Sequence, residues 1–492
     1  DGVARRLPSC ANCVMAMSRA VHAEGQTSAV ELANATCAGT SAPSTAPSII
    51  IDTNATAPEA SSTCNNKMPD ETPLPFGFNV VMMIYFFLMG ANYTVVLPTV
   101  HLYAESLGGG YWTAGLIVAL SMGPSILISP LAPFLVRQRY KPLAVAAVVS
   151  QIIGSVLYGL GQLGNTLALL LIARLIMGFT AMGPMLYLFI DATSQCAHRK
   201  FRTSSVARRN NSAFFGLGMG PVIAAGLSQV HFSIGDLIID KYTSPGWLFA
   251  VLWVGLLCAL AMVPEPKRRF EQESDSEATG VQTSLDKQAT LLSIVCCCST
   301  VVSTSAAISG WETSAAIVTQ RMFGWPLHWS SLFMGALFLF STVGGEIMRS
   351  CRNRVKEADV VAAALSGVVL SSLFLFWYLP HHEDEEELVG GGEVPYVIGG
   401  VLLLNSANIG RTFSTTLAQR AASAAGAKMR KRTTVAISVS QAIGRTIGAL
   451  FGLGVMTFPS GINLIAAIIC GMSLLVLLSF VPRQPRLTLR EI

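Results

Sequence analysis

The amino-acid sequence predicts an all-α membrane protein of twelve transmembrane helices in two six-helix bundles. Three observations lead there. Only 12% of the 492 residues are charged while 52% are apolar, whereas a soluble globular domain carries roughly a quarter charged residues. Twelve apolar runs are each long enough to cross about 30 Å of hydrocarbon as a helix of about 20 residues. The Lys and Arg residues fall almost wholly in alternate loops, the asymmetry that sets membrane orientation. The net charge of +5 is small and makes no case for nucleic acid.

Residues 1–75 hold no apolar run long enough for a signal sequence or a span. They are rich in Ala, Ser, Thr and Pro, which cannot bury enough surface to offset backbone entropy, so they read as a disordered cytoplasmic tail. Cys10, Cys13, Cys37 and Cys64 in this tail could hold zinc, but their irregular spacing after the C-x-x-C favours incidental thiols over a metal site. Asn34-Ala-Thr36 and Asn54-Ala-Thr56 match the N-glycosylation pattern, and a cytoplasmic tail would leave them bare.

Six spans follow, at 76–100, 112–135, 142–164, 167–190, 212–231 and 246–264, forming an N-terminal bundle over 76–264. The charged stretch 265–290 is a cytoplasmic linker. Six more spans, at 291–318, 327–349, 359–379, 395–417, 433–457 and 460–481, form a C-terminal bundle over 291–482, and 483–492 is a tail. The seventh span is the least clean because of its Ser and Thr. Cys296, Cys297 and Cys298 lie in it and read as packing residues, with palmitoylation the alternative.

The distribution of charge supports this count. With the N-terminus in the cytoplasm, the 2–3 loop holds Arg137, Arg139 and Lys141, and the 4–5 loop holds Arg199, Lys200, Arg202, Arg208 and Arg209. The linker holds Lys267, Arg268, Arg269 and Lys287. Arg349, Arg352, Arg354 and Lys356 fall in the 8–9 loop, and Arg420, Lys428, Arg430, Lys431 and Arg432 in the 10–11 loop. The opposite side has only Lys241 and Arg321, and its 9–10 loop is HHEDEEE. His381 and His382 there could bind a metal weakly, but a solvated charged loop is the simpler reading.

Two six-helix halves joined by a long cytoplasmic loop suit a rocking transporter with its substrate near the midplane. In the fifth span Gly216 and Gly220, followed by Pro221, lie on one face, and in the eleventh Gly444, Gly448 and Gly452 do the same. Small residues at this spacing let helix backbones approach, as a repeated gating element or as static packing. Charges inside spans are costly and face a partner or an aqueous path. These are Arg174, Glu312, Arg411 and Arg445. Three cations against one anion suggest a site for an anionic substrate, with Glu312 relaying a proton or pairing with an arginine. Arg174 could equally clamp a neighbouring carbonyl. Asp191 at the membrane edge suits a structural ion pair. Asn92, Tyr93, Asn405 and Asn408 could line the cavity, although buried amides also join helices. No phosphate-cradling G-x-x-x-x-G-K-[ST] and no catalytic constellation occurs, so neither an enzyme nor an ATP-driven pump is expected, and no cofactor is implied.

Gly220-Pro221 and Arg174-Leu-Ile-Met-Gly178 resemble motifs of the fifth and fourth helices of the major facilitator superfamily. The string SPLAPFLVRQRYKPL (129–143) is similar to its 2–3 loop motif but lacks the usual Asp. Within that superfamily the chain resembles the membrane part of the SPX-domain vacuolar phosphate transporters. The shared strings are NYTVVLPT with LYAESLG (92–108), YKPLAVAAVV with LYGL (140–160), LLLIARLIMGF (169–179), FFGLGMGPVIAAGL (214–227), SPGWLFAVLW (244–253) and, more loosely, IGRTFSTTLAQ (409–419). The fourth helix continues as FTAMGPMLYLFID, where that family is basic. The chain is also similar to the lysosomal major facilitator protein linked to ceroid lipofuscinosis, which is associated with chloride conductance. These resemblances imply phosphate or a related anion moved across a vacuolar or endolysosomal membrane, with the plasma membrane as an alternative. An anion channel, a drug–proton antiporter and a membrane sensor or scaffold that binds anionic lipid through its basic loops remain open as readings.

Overall fold

The computed structural model describes residues 75–265, 284–350, 357–376, 392–424 and 426–452, apart from breaks at 137–138, 165, 181, 195–198 and 236. The predicted tail, its cysteines and glycosylation motifs, most of the linker, His381, His382, the twelfth span and the C-terminal tail lie outside these residues. Eleven predicted spans have helices within them. The first is Phe76–Thr94, the third Lys141–Gly159 and the sixth Ser244–Met262. The eighth is Leu327–Ser350 and the ninth Glu357–Phe376. Eight helices of the described residues are long and apolar enough to cross a membrane.

Proline and glycine break the remaining elements where sterics and missing donors require it. The first span stops at Thr94, and Pro98 separates it from a short helix, Val100–Ser106, beyond its C-terminal end. The second span is Tyr111–Leu120, Ser125–Ile128, a 3₁₀ turn over Ser129–Leu131, and Ala132–Leu135. Its interruptions fall at Gly123-Pro124, Pro130 and Pro133. The fourth is Leu167–Phe179 and Met182–Ser194, broken ahead of Gly183-Pro184. Between the fifth and sixth spans, β1 (Phe232–Ile234) and β2 (Leu237–Ile239) form an antiparallel hairpin with Phe232 opposite Ile239.

Several predicted boundaries move. The fifth span is one helix, Arg199–Leu227, so the basic residues assigned to the 4–5 loop belong to it. Nothing between 199 and 215 is Gly or Pro, so nothing stops the helix. The seventh begins at Ser284 inside the predicted linker, runs to Ile317 and ends in a π turn, Val318–Met322. The tenth is Glu393–Ala424 and the eleventh Ala427–Gly452. The predicted 10–11 loop therefore shrinks to a turn at Gly426, whose φ of +104° only glycine adopts without strain.

The glycine stripes pack within each half. A Cβ on Gly216 would meet the Phe87 carbonyl of the first span, and one on Gly220 would lie 2.6 Å from the Ala91 carbonyl. In the other half Gly444 and Gly448 press on the Val302 and Ala306 carbonyls of the seventh span. The first and seventh spans hold equivalent places in the two halves, so the same close approach occurs twice. Pro221 has no N–H for the Leu217 carbonyl one turn earlier, and Thr94 Oγ1 donates to that oxygen at 2.9 Å. Gly218 faces the other way. A Cβ there would lie 2.8 Å from the Leu339 side chain, and one on Gly335 would lie 2.9 Å from the Gly218 carbonyl, so the fifth and eighth spans cross closely between the halves.

Candidate functional site

Where the halves meet, four charged side chains from four spans, the fifth, seventh, tenth and eleventh, are buried close to aromatic rings. Arg445, carried between Gly444 and Gly448, reaches the seventh span and bonds Glu312 Oε2 through Nη1 at 3.2 Å, with both side chains all but sealed from solvent. The close glycine packing allows this contact. The same guanidinium lies 5.0 Å over the ring of Tyr93 in the first span, and a cation over an aromatic face is stabilised by the ring quadrupole. Tyr93 Oη in turn shares a hydrogen bond with Ser309 Oγ at 3.2 Å. Tyr93, Glu312 and Arg445 therefore form one cluster that joins the two halves.

Arg411 of the tenth span is buried, 4.7 Å over the Phe214 ring of the fifth. It lies within electrostatic range of Arg445, Glu312 and Arg209. Arg209 is itself buried, stacked 4.6 Å over Phe86. The sequence predicts a loop here; the absence of Gly and Pro between 199 and 215 is the signal that points to helix instead. The cluster has donors to spare. Arg209 Nε and Nη2, Arg411 Nη1, Arg445 Nε and Nη2, and the acceptor Glu312 Oε1 have no hydrogen-bond partner among the described residues. Leaving a buried charged donor unmade costs more than a typical hydrogen bond contributes, so the arrangement suits a ligand that accepts hydrogen bonds.

The other sequence-predicted residues are distributed differently. Arg174 packs 4.5 Å over Tyr158 of the third span, with Nη1 donating to Met177 Sδ at 3.7 Å and with no hydrogen-bond partner for Nε and Nη2 among the described residues. Tyr93 lies within its electrostatic range. Asn92 donates to Gln151 Oε1 at 3.4 Å, and Gln151 donates to the Met177 carbonyl at 3.0 Å, so this amide links the first, third and fourth spans. Asn405 bonds the Val401 carbonyl of its own helix, and Asn408 the Ser341 carbonyl of the eighth span. Asp191 accepts from Tyr140 Oη at 3.0 Å. Cys297 packs with Ala418 and Ile437, and Cys298 lies against them. Among the described residues no cluster of His, Cys, Asp and Glu is placed to hold a metal ion.

Polar contacts tie the two halves together at one end of the cluster, and a small crevice lies at the other. At the end predicted to be non-cytoplasmic, Arg321 Nη2 lies 2.9 Å from each oxygen of Glu105, and Gln320 Nε2 donates to the Pro98 carbonyl at 3.0 Å. Toward the opposite end a crevice between the second, fourth and eleventh spans is lined by Ser125, Leu186, Ser438, Gln441 and Arg445. Its free volume of about 10 Å³ has room for one water. Among the described residues, the end that carries the Glu105–Arg321 pair is thus held closed by contacts between the two halves.

His101 sits one helical turn before Glu105, 4% exposed, with no hydrogen-bond partner for either ring nitrogen among the described residues. Burial, then the Arg321 cation, hold its imidazole down at about 4 from the usual 6.5, against the opposing pull of Glu105. A group whose pKa is depressed in the closed state and normal once wetted takes up protons on opening. The closed state is thus undisturbed above about 6.5 and loses ground as the pH falls from there toward about 4. A protonated His101 would also compete with Arg321 for Glu105. In a cysteine-free background, labelling of Thr319→Cys from the non-cytoplasmic side is expected to rise between about pH 7 and pH 5. The rise should vanish in His101→Gln; the same pH response in that variant would refute the assignment.

Comparison with known proteins places this arrangement. The family model of the Major Facilitator Superfamily matches residues 82–449. An SPX domain-containing membrane protein of Arabidopsis thaliana is 33% identical over 199 residues, 39% of this chain and 27% of the relative. An MFS-type transporter of Schizosaccharomyces pombe is 27% identical over 192 residues, 37% of this chain and 40% of the relative. These matches thus span less than half the length of each relative. Among solved structures, a D-xylose-proton symporter superposes with a TM-score of 0.65 at 15% identity, covering 83% of this chain and 98% of that one. An inward-open xylose transporter from E. coli gives 0.62 at 14% identity, covering 85% and 98%.

Proposed function

The chain belongs to the major facilitator superfamily, and on that premise we propose that it is a secondary transporter of a small anion, inorganic or organic, such as phosphate. Membership makes it a multi-pass integral membrane protein with a small-molecule substrate. The observation that carries the anionic reading is the excess of buried guanidinium at the centre. Arg411 and Arg445 share one carboxylate, Glu312, and retain N–H donors with no partner among the described residues. A bound anion would supply both the missing charge and the missing acceptors. The xylose transporters share the fold at 14% and 15% identity, which carries nothing about substrate. The similarity to SPX domain-containing membrane proteins favours phosphate and a vacuolar or endolysosomal membrane.

In this reading Arg411 and Arg445 neutralise the substrate and Tyr93 closes over it. Glu312 holds Arg445 when the site is empty and is displaced or protonated as the anion arrives, which gives a route to proton coupling. The Glu105–Arg321 pair seals one side. The crossing at Gly218 and Gly335 supplies a surface on which the halves can rock. Uptake of radiolabelled phosphate into proteoliposomes, with and without a pH gradient, tests the proposal. Saturable uptake by the wild type, lost in a folded Arg411→Ala variant, is expected. Uptake that survives the substitution unchanged would remove Arg411 from the site.

A further inference from the structure

We propose that Arg209 forms a second anion-binding station, on the cytoplasmic side of the central site, that takes a small oxyanion such as phosphate between Arg411 and the cytoplasm. The proposal rests on the anion-transport reading above and adds a residue and a path to it. Arg209 is 5% exposed, yet two of its three guanidinium nitrogens, Nε and Nη2, have no partner among the described residues. The third is held by the neighbouring Asn210 Oδ1. Phe86 covers one face of the guanidinium at 4.6 Å. A structural arginine of this kind is ordinarily neutralised by a carboxylate, but among the described residues its hydrogen bond is to an uncharged amide. Its two free donors form the edge that binds an oxyanion in bidentate fashion.

Position along the helices supports a path. Arg209 is ten residues from the start of its helix at Arg199, about 15 Å at 1.5 Å per residue. Arg411 is thirteen residues from the end of its helix at Ala424, about 20 Å. Arg445 is eighteen residues from Ala427, about 27 Å. All three helix ends are cytoplasmic in the positive-inside orientation, so the guanidiniums step inward in the order 209, 411, 445. Arg209 and Arg411 also lie within electrostatic range of each other, and an anion between them relieves their repulsion. Successive sites of this kind let an ion gain one partner before it leaves the last, which keeps it from being trapped.

The test uses the full chain. In proteoliposomes, Arg209→Gln is expected to raise the KM for phosphate presented at the cytoplasmic face by about tenfold or more, the loss of a charge-assisted hydrogen bond. Arg209→Lys should recover most of that loss. The stabilisation that phosphate gives the purified protein, read as a Tm shift, should shrink in Arg209→Gln in parallel. A merely structural Arg209 would lower the yield of folded protein but leave KM and the phosphate-dependent shift at wild-type values, and that result overturns the station. If Arg411→Ala abolishes uptake while Arg209→Gln behaves as wild type, the station is wrong and the anion reading stands. If phosphate is neither taken up by the wild type nor shifts its Tm, both fall together.

Discussion

Arg445→Ala is expected to abolish transport and to destabilise the protein by about 3–5 kcal/mol, because it leaves Glu312 buried with no counter-charge. The two groups are 3.2 Å apart, and neither side chain is more than 1% exposed. Their net contribution to stability is smaller than the cost of breaking the pair, since desolvation offsets much of the attraction. The double variant Arg445→Met with Glu312→Gln should therefore fold better than Arg445→Ala alone. It should remain inactive, because the substrate has lost its cation. Thermal melts in detergent together with uptake per folded molecule separate the two effects. A double variant no more stable than Arg445→Ala would show that the buried pair does not explain the loss.

Gly216→Leu and Gly448→Leu are expected to prevent folding or to trap the protein in a loosely packed state. At each position a Cβ already meets a backbone carbonyl of the facing helix, Phe87 in one half and Ala306 in the other. Backbone cannot swing aside as a side chain can, so overpacking here should exceed the usual 1–3 kcal/mol, roughly, of an inserted methylene group. Gly226→Leu is the control, since a Cβ there meets nothing within 4 Å. Monodisperse elution in detergent is expected for the control alone. Wild-type elution and melting of Gly216→Leu would mean that the first and fifth spans pack less closely than described.

Much of this architecture was legible in the sequence because the bilayer penalises exceptions. Arg174, Glu312, Arg411 and Arg445 stand out as charges inside apolar runs, and burial follows from that context. The glycine stripes at Gly216, Gly220, Gly444 and Gly448 signalled close helix approach, but their partners came only from three dimensions. Glu312 and Arg445 are 133 residues apart, and no local pattern joins them. Arg209 escaped notice because Arg208-Arg209 reads as a basic loop. In the structure Arg208 is exposed and Arg209 buried, a distinction set by helix phase rather than composition. Gly218 was equally hidden, since it sits between two glycines that face the other way. Asn92 shows the converse. A polar residue in a span suits cavity lining or a bond between helices equally, and its amide is bonded to Gln151 of a neighbouring helix. A sequence shows that a buried polar group needs a partner but not which partner it takes.

The most direct test of the central claim is counterflow. Proteoliposomes loaded with unlabelled phosphate are presented with trace radiolabelled phosphate outside, and internal label is followed over time. A site that binds an oxyanion between two rocking halves predicts faster label entry into loaded than into empty vesicles, with the acceleration lost in Arg411→Ala. Label entry that is identical in loaded, empty and protein-free vesicles, with the protein shown to be folded, would contradict the claim that this arginine cluster carries phosphate.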